Sequence, residues 1–140
     1  MGVPRGRVVR AAAIAAVVSG APSTIHALAS GRSPLDAVRA AATLVPGNRA
    51  RSWVGELAAG LAAHAVISLG WTAVLARVLP RRRAVWWGAV AGVGIAALDL
   101  GVVARRVPAI AALPTGSQVA DHVVFGAVAG AVLSSAPRSG

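Results

Sequence analysis

Four stretches of this chain, 11–31, 57–76, 84–104 and 118–136, are apolar over about 20 residues each, the length an α-helix needs to cross roughly 30 Å of hydrocarbon at 1.5 Å per residue. In 140 residues they leave room for little beyond short connections. Charged side chains fall between the stretches, and only Glu56, Asp99 and Asp121 lie inside them or at their rims. A soluble Ala-rich bundle would need a polar face on every helix, and residues 84–98 supply none. The expected fold is an all-α membrane protein. It has four transmembrane helices and one short interfacial amphipathic helix, in a single membrane domain over 1–140.

Composition agrees. Charged residues are 13% of the chain and apolar residues 56%, where a soluble domain is about a quarter charged. The net charge of +10 comes from Arg alone, in clusters at the ends of the apolar stretches: Arg5, Arg7 and Arg10; Arg49 and Arg51; Arg81, Arg82 and Arg83; Arg105 and Arg106. Nucleic-acid binders gather such charge on one folded face with aromatic stacking platforms, so no nucleic-acid partner is expected. Arg beside apolar spans fits a lipid bilayer as the partner, with orientation set by loop charge. Cysteine is absent, which removes disulfides, thiolate metal sites and Cys nucleophiles. Residues 5–20 have the order of a secretory signal, with Val18-Ser19-Gly20 as the cleavage site. The apolar run continues past that site to 31, so the reading is an uncleaved first span.

Along the chain, Ser19-Gly20-Ala21-Pro22-Ser23-Thr24 lies mid-span and predicts a kink near Ala21, with Ser and Thr able to partner the freed carbonyl. Ser33-Pro34-Leu35-Asp36 reads as a capped helix start, and 34–45 as the interfacial helix, too short to span. A turn comes next over 46–52. Trp53, Trp71, Trp86 and Trp87 sit near span ends, as interfacial aromatics do. Residues 108–116 read as a loop, and Thr115 and Gln118 have capping-box spacing for the fourth helix. Arg is only slightly in excess on the side of both termini, and the dense Arg81–Arg83 loop favours both termini in the cytoplasm.

Projected at about 100° per residue, the polar groups of each span gather on one side. Ser19, Ser23, His26 and Ser30 share a face of the first span. Gly60, His64 and Ser68 form a row on the second. Gly88 and Gly92 make a small-residue stripe on the third that also carries Asp99 and Arg106. His122, Gly126 and Gly130 share a side of the fourth, with Asp121 about 100° away. Small residues every fourth position allow close helix packing, and Ser, Thr and His add bonds between helices. Asp99, buried below the rim, is either ion-paired with Arg106 or functional. His64 is expected to bond Ser68 or His26, or to relay protons, since an imidazole titrates near neutrality. Asp121 is explained by the dipole of its own helix. A metal centre would need His64 and His122 with Asp99 or Asp121, and no helix has ligand spacing, so neither metal nor cofactor is expected. A hydrolase would use Ser19 or Ser23 with a His and an Asp, without any nucleophile-elbow pattern.

The stretches Ser19-Gly20-Ala21-Pro22-Ser23-Thr24, Gly31-Arg32-Ser33-Pro34-Leu35-Asp36, His64-Ala65-Val66-Ile67-Ser68-Leu69-Gly70-Trp71, Leu98-Asp99-Leu100-Gly101 and Asp121-His122-Val123-Val124-Phe125-Gly126 resemble a group of small bacterial inner-membrane proteins, mostly actinobacterial, to which no activity is assigned. The resemblance runs from about Ser19 to Gly130. It implies four spans in a plasma membrane and carries over no catalytic or binding residue. Small multidrug exporters do not fit, because the first span lacks an acid. Fluoride channels do not fit either, because the sole Asn, Asn48, is in a loop.

The expected role is non-enzymatic: a module that packs against itself or another membrane protein through its Gly and Ser stripes. The alternative is a proton- or ion-coupled transporter or channel in which Asp99 and His64 titrate, with His26, Asp121 and His122 as secondary groups. An intramembrane enzyme is the third reading.

Overall fold

The computed structural model describes residues 3–47 and 52–135. Asn48, Arg49, Arg51, Ala136 and Arg138 lie outside the described residues, and with them the middle of the expected 46–52 turn and the last residue of the expected fourth span. The helices are α1 (Arg5–Ser19), α2 (Ala21–Ala29), α3 (Asp36–Ala42), α4 (Trp53–Val78), α5 (Ala84–Leu98), α6 (Pro108–Ala111) and α7 (Thr115–Ser134), with a π-helical turn over Asp99–Val103 continuing α5. Among the described residues four helical stretches are long and apolar enough to cross a membrane: Arg5–Ala29, Trp53–Val78, Ala84–Val103 and Thr115–Ser134. The chain is an all-α membrane protein. Its outer surface is apolar, with Val17 81% and Val66 71% exposed, a surface suited to lipid rather than water.

The first span starts six residues earlier than expected and is broken into α1 and α2. Pro22 has no N–H, so the carbonyl of Val18 loses its helical donor. The N–H of Gly20 turns to Val18 instead. That leaves the carbonyl of Ala16 without its usual partner four residues on. Ser19 Oγ donates to it at 3.3 Å, and Nε2 of His64 on α4 donates to it at 3.1 Å. A local break in one helix therefore creates the acceptor that fastens the next span to it.

The closest packing joins α5 and α7. A Cβ built on Gly88 would stand 2.1 Å from the carbonyl oxygen of Gly126, one on Gly92 2.2 Å from that of His122, and one on Gly130 2.2 Å from that of Ala84. The partners step in opposite directions along the two helices, which fixes an antiparallel register. Only the absence of side chains lets these backbones meet, a geometry in which Cα–H groups face carbonyl oxygens. Beside this seam, Ala11 and Ala15 of α1, Leu75 of α4, Ile95 of α5 and Phe125, Ala129 and Leu133 of α7 form the core. The small residues bring the helices together, and Phe125, Leu75 and Leu133 fill the space left over.

The interfacial helix is shorter than the expected 34–45. Ser33 Oγ accepts from the N–H of Leu35 at 3.2 Å, which closes a turn ahead of the helix rather than capping it. α3 is seated on α4 at Gly60, where a Cβ would lie 2.0 Å from the carbonyl oxygen of Val38. Arg39 pairs with Glu56 at 3.7 Å across the same contact. Both side chains are more than a third exposed, so Glu56→Gln is expected to change unfolding free energy by less than about 1 kcal/mol in a mixed-micelle denaturation titration. The expected 108–116 loop contains a helical turn, α6, whose Ile110 packs with Ala40 and Ala104.

Candidate functional site

Ser23, Asp99, Asp121 and His122 gather at one end of the bundle, where α2, the π turn and the start of α7 meet. Asp121 faces the first turn of α2 on the neighbouring span. Its Oδ1 accepts the backbone N–H of Ser23 at 2.9 Å, and its Oδ2 accepts from Ser23 Oγ in a short hydrogen bond. The N-cap of α2 is Gly20, which has no side chain to offer. Asp121 therefore caps α2 from across the bundle, satisfying one of the N–H groups a helix start leaves free. This corrects the expectation that the dipole of its own helix explains it. α7 begins at Thr115, which puts Asp121 past the first turn, while its carboxylate sits at the positive end of α2.

Asp99 is paired with His122 of α7, Oδ2 to Nε2 at 3.6 Å, and not with Arg106. The π turn explains the change. It opens at Asp99, with the N–H of Ala104 bonding the carbonyl of Asp99 at 2.8 Å. Its extra residue rotates the downstream residues by about 100° relative to an α-helix, so Arg106 leaves the face that Asp99 occupies. Arg106 makes no ion pair among the described residues. His122 is held from behind, since Nδ1 lies 2.7 Å from the carbonyl oxygen of Gln118. A carbonyl only accepts, so Nδ1 carries a hydrogen. In a neutral ring Nε2 then presents a lone pair to the Asp99 carboxylate. The contact is attractive only if the pair holds one further proton, on the imidazole or on the carboxyl group. Both side chains are about a quarter exposed, His122 at 23% and Asp99 at 27%.

Among the described residues no hydrogen bond joins His64 or His26 to these groups. The ring of His64 reaches the Ala16 carbonyl on α1, so neither Ser68 nor His26 is its partner, and the residue is otherwise on the outer surface. His26 lines a small cavity of about 20 Å³ with Ser23, Arg32, Asp36 and Pro114. Ser68 and Thr72 are buried on α4, and Thr72 Oγ1 has no hydrogen-bond partner among the described residues. Gly88, Gly92, Gly126 and Gly130 all face the α5–α7 seam inside the chain.

Gln118 is a buried polar residue whose structural role the sequence did not disclose. Its amide nitrogen donates to the carbonyls of Ile110 and Leu113 at 3.3 and 3.2 Å. It holds the end of α6 rather than forming a capping box, because the N-cap of α7 is Pro114, which has no N–H to receive a side chain. A lone amide at the start of an apolar span is the only signal the sequence carries for it.

Chemically, the cluster can hold a proton and lock helices. Ser23 bonds a carboxylate and no His side chain hydrogen-bonds it, so the described residues join no Ser-His-Asp relay by hydrogen bonds. Among them no group of three His, Asp or Glu side chains could hold a metal ion. No family model, no curated protein and no solved structure matches this chain.

Proposed function

We propose that this chain is a non-enzymatic, multi-pass protein of a bacterial plasma membrane that works by packing against a second copy or another membrane protein. The resemblance to small actinobacterial inner-membrane proteins supports the location, and the Arg81–Arg83 loop supports cytoplasmic termini. The observation that carries the role is that three ionisable groups of the spans have partners within the chain. Asp121 meets Ser23, Asp99 meets His122 and His64 meets a backbone carbonyl, while neither Asp99 nor His64 lines either of two cavities found at the bundle ends. A solute pathway needs ionisable groups along a hydrated lumen. The glycine stripes are occupied within the chain, so the surface offered to a partner is the outer face of α4, the least buried span, around Ala62, Val66 and Gly70.

In-membrane cross-linking through a single cysteine at Ala62, on that exposed face, tests this in a chain that has no other cysteine. A discrete dimer or a single adduct of fixed mass is expected. Monomer alone at every cross-linker length would contradict the role.

One observation favours a second reading, proton- or ion-coupled transport. The His122–Asp99 pair lies beside a π turn, an irregularity frequent at functional sites. In that reading His122 takes the place expected for His64. Liposomes containing the chain would then show proton flux that Asp99→Asn and His122→Gln each reduce about tenfold or more. Flux equal to that of protein-free liposomes would remove it.

A further inference from the structure

The two ends of the bundle differ sharply in charge. All four carboxylate side chains of the chain, Asp36, Glu56, Asp99 and Asp121, lie at the end where α3, the start of α4, the π turn and the start of α7 come together. There Arg32 pairs with Asp36 and Arg39 with Glu56, each at 3.7 Å. The opposite end, formed by the start of α1, the end of α4, the start of α5 and the end of α7, has Arg5, Arg7, Arg77, Arg81, Arg82 and Arg83 and no Asp or Glu side chain.

A groove of about 910 Å³ opens at that basic end, near the top of the range of ligand clefts, about 300–1,000 Å³. Arg5, Arg77 and Arg81 stand at its rim, and Leu69, Ala73 and Leu79 line its wall. Arg77 is held in place by a 2.7 Å bond from Nη1 to the carbonyl of Ala73, which leaves further guanidinium donors for a ligand. From Leu79, which caps α4, to Leu69 the wall descends ten residues, about 15 Å, which is half of a hydrocarbon core of roughly 30 Å. A basic rim above an apolar wall one leaflet deep matches a phosphate headgroup above an acyl chain.

We infer that this groove is a binding site for one anionic phospholipid, with its phosphate between Arg5 and Arg77 and an acyl chain along Leu69, Ala73 and Leu79. Lipid supplies negative charge at an end that holds no Asp or Glu side chain. A zwitterionic lipid has the same tails without the net charge, and a water-soluble phosphate has the charge without the tails.

Native mass spectrometry of the full chain in mild detergent, titrated with phosphatidylglycerol or with phosphatidylcholine of the same acyl chains, tests the site. Phosphatidylglycerol is expected to bind at one equivalent about tenfold more tightly or better. The Arg5→Gln/Arg77→Gln double variant should lose about 10- to 30-fold of that affinity, with phosphatidylcholine binding unchanged. Arg105→Gln/Arg106→Gln, which removes the same charge from the other end, should lose less than about threefold. Ala73→Phe, which fills the wall and leaves both Arg in place, should weaken phosphatidylglycerol binding, and glycerol phosphate should not displace the lipid. Equal binding of the two lipids by the unaltered chain would overturn the site, a result that needs no variant to fold. Equal losses in the two double variants would reduce it to diffuse surface charge and also overturn it, as would displacement by glycerol phosphate.

Discussion

Gly88→Val is expected to cost about 3 kcal/mol or more of unfolding free energy, whereas Gly94→Val on the same helix should change it by no more than about 0.5 kcal/mol. The contrast rests on what a new side chain would meet. At Gly88 the first added carbon lands 2.1 Å from the Gly126 carbonyl oxygen and 2.8 Å from its carbon, and at Gly94 it meets nothing within 4 Å. The obstacle at Gly88 is backbone, which no rotamer change can move. Helices α5 and α7 must separate, and the packing of Ile95 against Phe125 and Ala129 loosens with them. In a bilayer, close packing carries much of the association between helices, so the lost contacts are not recovered by burying apolar surface elsewhere. Reversible denaturation in mixed micelles, followed by far-ultraviolet circular dichroism, measures both variants on one scale. Equal stability of the two would mean that α5 and α7 do not meet at this seam.

Asp121→Leu is the second substitution with a large expected effect, about 2–4 kcal/mol. The carboxylate receives both the N–H and the hydroxyl of Ser23, so Leu leaves two donors unsatisfied at a helix start inside the membrane. Asp121→Asn keeps a carbonyl oxygen for the N–H and an amide donor for the hydroxyl oxygen, and should lie within about 1 kcal/mol of the unaltered chain. That ordering separates capping from charge. If the asparagine variant were as unstable as the leucine variant, the negative charge at the start of α2, rather than the hydrogen bonds, would be what Asp121 contributes.

The spans were legible because their cause is local. About 20 apolar residues fix an α-helix in lipid whatever their neighbours are. The small-residue rows on 88–92 and 126–130 were visible for the same reason, since 3.6-residue periodicity sorts one helix face from another. Partners were less legible. The break at Gly20 and Pro22 was readable, yet its consequence, a free Ala16 carbonyl that His64 takes, depends on which span lies beside it. Asp99 and Arg106 share a face on any regular helix, and one π turn was enough to exchange Arg106 for His122. Asp121 and Ser23 are joined across most of the chain length, by a contact no spacing rule encodes. Sequence periodicity says which way a side chain points on its own helix. It does not say which helix it points at.

The crossing pattern itself is most directly tested by single cysteines at Pro34, Arg82 and Ala112, all exposed in a chain free of other cysteines, labelled in sealed vesicles with a membrane-impermeant maleimide. Four spans require that Pro34→Cys and Ala112→Cys react from one side of the membrane and Arg82→Cys only from the other. Labelling of all three from the same side, before the vesicles are opened, would contradict the four-span fold and the pairing of its polar groups.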